Sequence, residues 1–320
     1  AGPPAGPAPD TATPCDEPGT AANAWIDKVQ RGVYQRVCGA GAWFDGLFGT
    51  PRYDRDRDET YGRLGLFERY DRRDQFDTRL RLRARVALPV MKERLRLTLN
   101  RDSDLTDLDD QQSVADDPIP QSFRSVQDES WLLGLGYRQG SGLESGFDFG
   151  AGVRLRTPLD PYLKVTYRKN WVFSPETALR FHETPFWRES RDFGATTQVS
   201  LDHLLSPRLL ARWDNAGTVA GDTEGLQWGT TAILFQDLRN RSAVSYAALL
   251  RGETGSEVPI RNYGVETRYR RQVWRRWLFL ELSGSLTWPR ESKLERREAN
   301  PGVGLGFEMY FGPVPDEELR

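Results

Sequence analysis

From about residue 60 onward, apolar and polar residues alternate with a period of two. That is the spacing of a strand with one face buried in an apolar medium and one face in a polar medium. The clearest stretch runs from Phe76 to Val86, where Phe76, Thr78, Leu80, Leu82, Ala84 and Val86 share one face and Asp77, Arg79, Arg81, Arg83 and Arg85 share the other. Leu95, Leu97 and Leu99 then alternate with Arg94, Arg96, Thr98 and Asn100. Phe147, Phe149, Ala151, Val153 and Leu155 oppose Asp148, Gly150, Gly152, Arg154 and Arg156. Tyr263 to Tyr269 sets aromatic and β-branched residues against Asn262, Glu266, Arg268 and Arg270, and Leu278 to Trp288 sets leucines against Glu281, Ser283, Ser285 and Thr287. The last such stretch opposes Val303, Leu305, Phe307, Met309 and Phe311 to Gly302, Gly304, Gly306, Glu308 and Tyr310.

Counted through, the pattern predicts about fourteen strands, with twelve to sixteen compatible with it. They fall at 60–70, 76–88, 93–101, 130–139, 145–157, 161–173, 177–188, 194–205, 207–215, 225–236, 241–252, 260–271, 276–288 and 300–311. Most have the length a tilted strand needs to cross a bilayer, and they are long for a soluble sandwich. Short joins such as Ser206-Pro207 alternate with longer polar ones at 102–129, 216–224, 253–259 and 289–299. An even count brings both chain ends to one side. The expected fold is therefore all-β: a transmembrane antiparallel up-and-down barrel with short turns on one side and longer loops on the other. A soluble all-β fold is the competing architecture, and no blade-like repeat favours a propeller.

The N-terminal part reads differently. Residues 1–22 are rich in Ala, Pro, Gly and Thr and read as a flexible tether. Within 23–59, Ile26, Val29, Val33 and Val37 form one apolar stripe of a short helix, capped by Asn23 and broken at Gly39, before a linker. The two cysteines, Cys15 and Cys38, lie close together and suggest one disulfide and an oxidising compartment. The chain opens at Ala-Gly-Pro-Pro without Met, which reads as a mature form after removal of a targeting segment. The barrel would span 60–312, with a C-terminal tail at 313–320.

Composition changes this picture little. The 320 residues carry 44 Lys and Arg against 46 Asp and Glu, a formal net charge of -2, which argues against nucleic acid as a partner. A mean hydropathy of -0.63 and the lack of a long apolar run exclude helical membrane spans, but a barrel averages its two faces and is not excluded. Aromatics at Trp131, Tyr137, Trp171, Trp187, Trp213, Trp228, Trp277, Trp288, Tyr310 and Phe311 fall near predicted strand ends, where interfacial belts place them.

The polar faces carry the candidate chemistry. Arg79, Arg81, Arg83, Arg85, Arg94, Arg96, Arg154, Arg156, Lys164 and Arg168 would form a basic wall of the lumen. Opposite would stand a mixed wall of Glu266, Arg268, Arg270, Glu281 and Glu308, beside Arg63 and Arg69 of the first strand. Such a wall gives an open pore anion preference; in a closed barrel the same residues pair into a polar plug. The acidic segment 102–129 has carboxylates at spacings that bind calcium, but it lacks the pattern of an EF-hand and reads as a solvated loop. His182-Glu183 lacks the second histidine of a zinc protease, and Asp202, His203 and Ser206 cluster at an expected turn, so no catalysis, metal or cofactor is expected.

The segment 60–312 resembles the Gram-negative outer-membrane β-barrel class, porin-like in form. The most specific element is the end of the last strand, where Gly306, Met309 and Phe311 occupy the places of the barrel-assembly signal. The stretch Trp43–Gly49 resembles one near the start of uncharacterised proteobacterial proteins. The resemblance implies an outer-membrane location with the N-terminus in the periplasm. It also implies outer-membrane lipid, lipopolysaccharide and the barrel-assembly machinery as partners. The N-terminal segment adds a periplasmic protein or further copies of the chain. The expected activity is a narrow channel for small anionic solutes; the alternative is a non-conducting scaffold that binds a lipid or protein through its N-terminal segment.

Overall fold

The computed structural model describes residues 61–88, 95–101, 131–139, 145–155, 157–275 and 277–311. The tether, the helix at 23–38, the Cys15–Cys38 pair, the acidic loop 102–129 and the tail 313–320 lie outside them. Fourteen antiparallel strands close into one barrel, each paired with its sequence neighbours and β1 with β14. They are β1 (Tyr61–Asp71), β2 (Gln75–Leu88), β3 (Leu95–Arg101), β4 (Trp131–Gln139), β5 (Ser145–Leu155), β6 (Asp160–Ser174) and β7 (Thr177–Arg188). The series continues with β8 (Asp192–Ser206), β9 (Leu209–Ala220), β10 (Gln227–Asp237), β11 (Ser242–Glu253), β12 (Ile260–Gln272), β13 (Leu278–Thr287) and β14 (Asn300–Phe311). The closing seam runs from Gly62 opposite Phe311 to Asp71 opposite Gly302, so the sheet has no free edge.

The barrel is inside-out relative to a soluble domain. Leu66, Tyr70, Phe149, Leu163, Val265, Leu282 and Leu305 are exposed on the outer face. Arg79, Asp148, Arg180, Asp202, Arg212, Glu266, Arg270 and Glu281 are buried within. This is the arrangement of a barrel whose outer face meets lipid. Rings gather toward both ends of the outer face: Tyr70 beside Phe76, Tyr263 stacked on Trp288 at 5.4 Å, Phe147 beside Tyr167, and Trp171 beside Phe181. Two outward acids, Glu68 and Glu183, each accept a threonine hydroxyl from the adjacent strand, Thr78 at 2.7 Å and Thr197 at 2.6 Å.

Three expectations need correction. β9 continues to Ala220, so the expected loop 216–224 shrinks to 221–226 and Trp213 sits within the strand rather than at its end. The small residues Ala216, Gly217 and Ala220 mute the alternation there. Tyr310 points inward, packing edge-on against Phe279 at 5.3 Å, and so is no part of an interfacial belt. The connections at 72–74, 157–159 and 189–191 are as short as the turns at the other end, and 288–299 is the long described connection. The end carrying residues 61 and 311 is the terminal rim below, and the other is the opposite rim.

Inward aromatic rings occupy room that glycines leave on the same or a neighbouring strand. A Cβ at Gly306 or Gly65 would collide with the Phe67 ring, and one at Gly152 would meet Tyr162 at 2.7 Å. Gly306 therefore has a packing role besides its place in the terminal motif. Gly306→Val is expected to lower the folded fraction several-fold in heat-modifiable gel migration. Adding Phe67→Ala should restore much of it, because the collision partner is then gone; a purely sequence-read motif would not be rescued.

Candidate functional site

Strand parity delivers the interior. Arg79, Arg81 and Arg83 of β2 share the inner face with Asp77, and Arg63, Phe67, Arg69 and Asp71 share it on β1. Arg79 pairs with Asp77 and Arg69 with Asp71 at 2.8 Å, while the Arg81 guanidinium lies 4.5 Å over the Phe67 ring. Arg154 of β5 is buried on the same face as Asp148, whose partner is Arg168 of β6. Arg85 and Arg96 fall on β2 and β3 at backbone level, and Arg94 and Arg156 lie outside the described residues. The basic wall is thus interleaved with carboxylates.

The mixed wall forms one cluster. Glu308 is held by Arg270 and by Arg63 at 3.5 Å. Glu281 takes Arg270 at 3.2 Å and Arg268 at 3.5 Å, and Arg268 also bonds Glu266 at 2.9 Å. Arg270, 1% exposed, lies 4.8 Å over the Phe279 ring. β12, β13 and β14 hold these groups together because Arg270 lies directly opposite Glu281, and Glu308 directly opposite Phe279. Burying such charges is tolerated only when each is met by an opposite charge in good geometry.

A second cluster escaped the sequence reading. Arg212 of β9 makes a two-pronged contact to Asp202 of β8, at 2.7 and 3.0 Å, and Arg180 of β7 bonds the same carboxylate at 3.0 Å. Alternation of Arg180, His182 and Thr184 with Leu179, Phe181 and Glu183 carried that signal. Asp202 points inward while His203 is exposed on the outer face with its Nδ1 2.9 Å from Thr177 Oγ1. The two side chains therefore lie on opposite faces of the sheet and do not form a joint site.

Lys164 of β6, on the strand beside β7, lies against Gly150 and is 6% exposed. Its ammonium has no hydrogen-bond partner in the protein. A buried cation without a partner is costly and attracts any small anion that can reach it. Toward the terminal rim the interior changes character. Leu210, Ile233, Phe235, Ala243 and Phe279 form a buried apolar cluster, joined by Leu204, Ala247 and Tyr310. Apolar residues at inward positions were not expected, since the polar faces were read as uniformly charged. Both arginine clusters rest on it, because Arg212 lies 5.3 Å over Phe235 as Arg270 does over Phe279.

The opposite rim is laced by paired charges. Asp160 accepts Ser190, Arg191 meets Asp222 at 2.8 Å, and Glu253 takes Arg261. Arg73 reaches Glu295 at 3.2 Å and Glu291 at 3.4 Å, and Arg72 reaches Glu298. The Glu291 amide donates to the Glu295 carboxylate, which with Arg73 holds that group below the usual carboxylate range. Burial, then the neighbouring Asp71, pushes Asp74 up.

Glu308→Gln should leave two buried arginines short of charge and cost about 3–5 kcal/mol, measured by urea unfolding in bilayers. Replacing Arg270 and Glu308 together by Met and Leu should cost much less. The loop 288–299 should also respond to acid. A lowered carboxylate stabilises above its ordinary pKa, and that contribution is lost as pH falls through the lowered value. Asp74 has the reverse sign, its contribution being lost as pH rises through the raised value. Protection factors of amides in 288–299, corrected for the intrinsic slowing of exchange in acid, are therefore expected to fall below about pH 4 while those of the strands persist, and Glu295→Gln should show the lower protection already at neutral pH.

No family model and no curated protein matches the sequence. Among solved structures it is similar to the KdgM porin in complex with disordered oligogalacturonate, at 5% identity and a TM-score of 0.38 over 78% of this chain and 99% of that one. It is similar to the CymD monoaromatic hydrocarbon channel at 7% identity and a TM-score of 0.48, covering 84% and 93%. An anion-selective porin from Comamonas acidovorans matches at 8% identity and a TM-score of 0.44, covering 79% and 98%.

Proposed function

We propose that the chain is an outer-membrane channel of narrow bore that favours small anionic solutes. The observation that carries this reading is Lys164: a buried ammonium without a protein partner, inside a closed barrel whose outer face is apolar. A barrel of fourteen strands lies between the side-chain-filled eight-stranded type and the water-filled sixteen-stranded type. In this reading the walls enclose a path that long arginine side chains narrow. The carboxylates of the described clusters are tied to arginines, and the Lys164 ammonium is a buried positive charge that no such carboxylate meets. Rings of charge at a constriction set the sign of the permeant ion.

The terminal rim is assigned to the periplasm and the opposite rim, with the long 288–299 connection, to the exterior. Outer-membrane lipid, lipopolysaccharide and the assembly machinery follow as partners of a chain so placed. A second reading, a non-conducting scaffold, is favoured by the apolar cluster inside the terminal end and the arginine clusters seated on it.

Planar-bilayer recording separates the two. The channel reading expects small unitary conductance with reversal potentials on the anion side, and Lys164→Glu should cut the anion-to-cation permeability ratio several-fold. Silence from both the full chain and a chain without residues 1–59 selects the scaffold. Cation preference in the native chain would overturn the charge argument and leave the barrel intact.

A further inference from the structure

We infer that the terminal rim binds anionic phospholipid headgroups through three consecutive arginine-bearing turns. The connections 207–208, 238–241 and 273–277 join β8 to β9, β10 to β11 and β12 to β13, so they follow one another around that rim. They and the end of β12 present exposed Arg208, Arg239, Arg241, Arg271 and Arg275. The nearby acids are few. Asp237 stands 4.0 Å from Arg208 and accepts the Arg239 amide at 2.7 Å, and Glu176 on the preceding turn bonds Ser174. Among the described residues no carboxylate lies within ion-pair distance of Arg239, Arg241, Arg271 or Arg275. The opposite rim differs, since Arg72, Arg73, Arg191 and Arg261 there each meet an acid.

Tight left-handed turns hold these side chains out from the rim. Arg239, Asn240 and Arg241 have φ of 66°, 50° and 59°, and Trp274 has φ of 54°. Left-handed backbone is costly for arginine and tryptophan and cheap for glycine. Large cationic and aromatic side chains are nevertheless kept at positions where glycine would fold more readily. Gln75 and Asp192 have the same conformation in turns of the opposite rim, so what sets the terminal rim apart is the arginine and tryptophan carried there. The turn holding Trp274 is pinned, with the Val273 amide bonded to the Leu278 carbonyl at 2.9 Å and the Tyr310 amide to the Trp277 carbonyl at 2.9 Å. Trp274 is left 84% exposed, and Trp277 and Leu238 are exposed on the same rim.

The position selects lipid as the occupant. These turns have two to five residues, so their side chains remain at the ends of the apolar outer face, at the depth of headgroups. Tryptophan settles at that depth, and arginine meets phosphate there. The inference rests on reading the chain as a membrane barrel with this rim facing the phospholipid leaflet.

The test uses the full chain in neutral detergent, with native mass spectrometry of bound phosphatidylglycerol against phosphatidylcholine. Preferential retention of phosphatidylglycerol is expected, lost when 1 M salt shortens the screening length to about 3 Å. The triple variant Arg239→Gln, Arg241→Gln, Arg275→Gln should weaken binding by about fivefold per arginine, with heat-modifiable migration confirming that it folds. Equal retention of both lipids, or full retention by the folded triple variant, overturns the proposal. So does indifference in the full chain that becomes anionic preference once residues 313–320 are removed, which would assign the patch to the acidic tail. Labelling a cysteine placed at Ser292 on intact cells reports the orientation separately, so a wrong orientation and a failed lipid site are told apart.

Discussion

Everything in this molecule depends on closure of the sheet. A strand edge in hydrocarbon leaves amides and carbonyls without partners, and no side-chain contact makes up that loss. The pairing of β1 with β14 removes the edge and fixes the register of the whole wall. Once closed, parity assigns each residue to lipid or lumen, and the opposed chemistries of the two faces follow. Every described element is a strand held by its two neighbours, so stability is collective rather than local.

Closure also explains why so many charges are buried. Inward residues cannot leave the barrel, so an arginine there must find a carboxylate, a ring or a solute. Asp202 serves Arg180 and Arg212, and Glu281 and Glu308 serve Arg63, Arg268 and Arg270. Phe235 and Phe279 supply flat surfaces beneath two of these guanidinium groups. Pairing of this kind sets side-chain positions more than it adds stability, because desolvation offsets most of the attraction. Among the described residues it leaves the Lys164 ammonium as a buried cation without a hydrogen-bond partner.

The two rims use arginine in opposite ways. On the opposite rim arginines tie one hairpin to the next through Asp222, Glu291, Glu295 and Glu298, and Arg261 meets Glu253 across a single hairpin. On the terminal rim they stand exposed in short turns with few acids. The net charge of -2 conceals this difference, as the mean hydropathy conceals the difference between the faces.

The sequence by itself determined the strands, their boundaries to within a few residues at most positions, and the sign of each face, because a period of two is written residue by residue. It determined the all-β class and the inward positions of Arg79, Arg81, Arg83, Glu266, Arg268, Glu281 and Glu308. It failed where small residues blurred the alternation, as in β9 at Ala216–Ala220, and where an aromatic occupied an inward place, as at Phe67, Phe279 and Tyr310. Only the tertiary structure decided which charges meet. Arg270 and Glu308 are 38 residues apart in sequence and share a wall because β12, β13 and β14 are adjacent in register. Which arginine finds a carboxylate and which lysine does not depends on shear and neighbour order in a closed sheet, and a one-dimensional pattern contains neither.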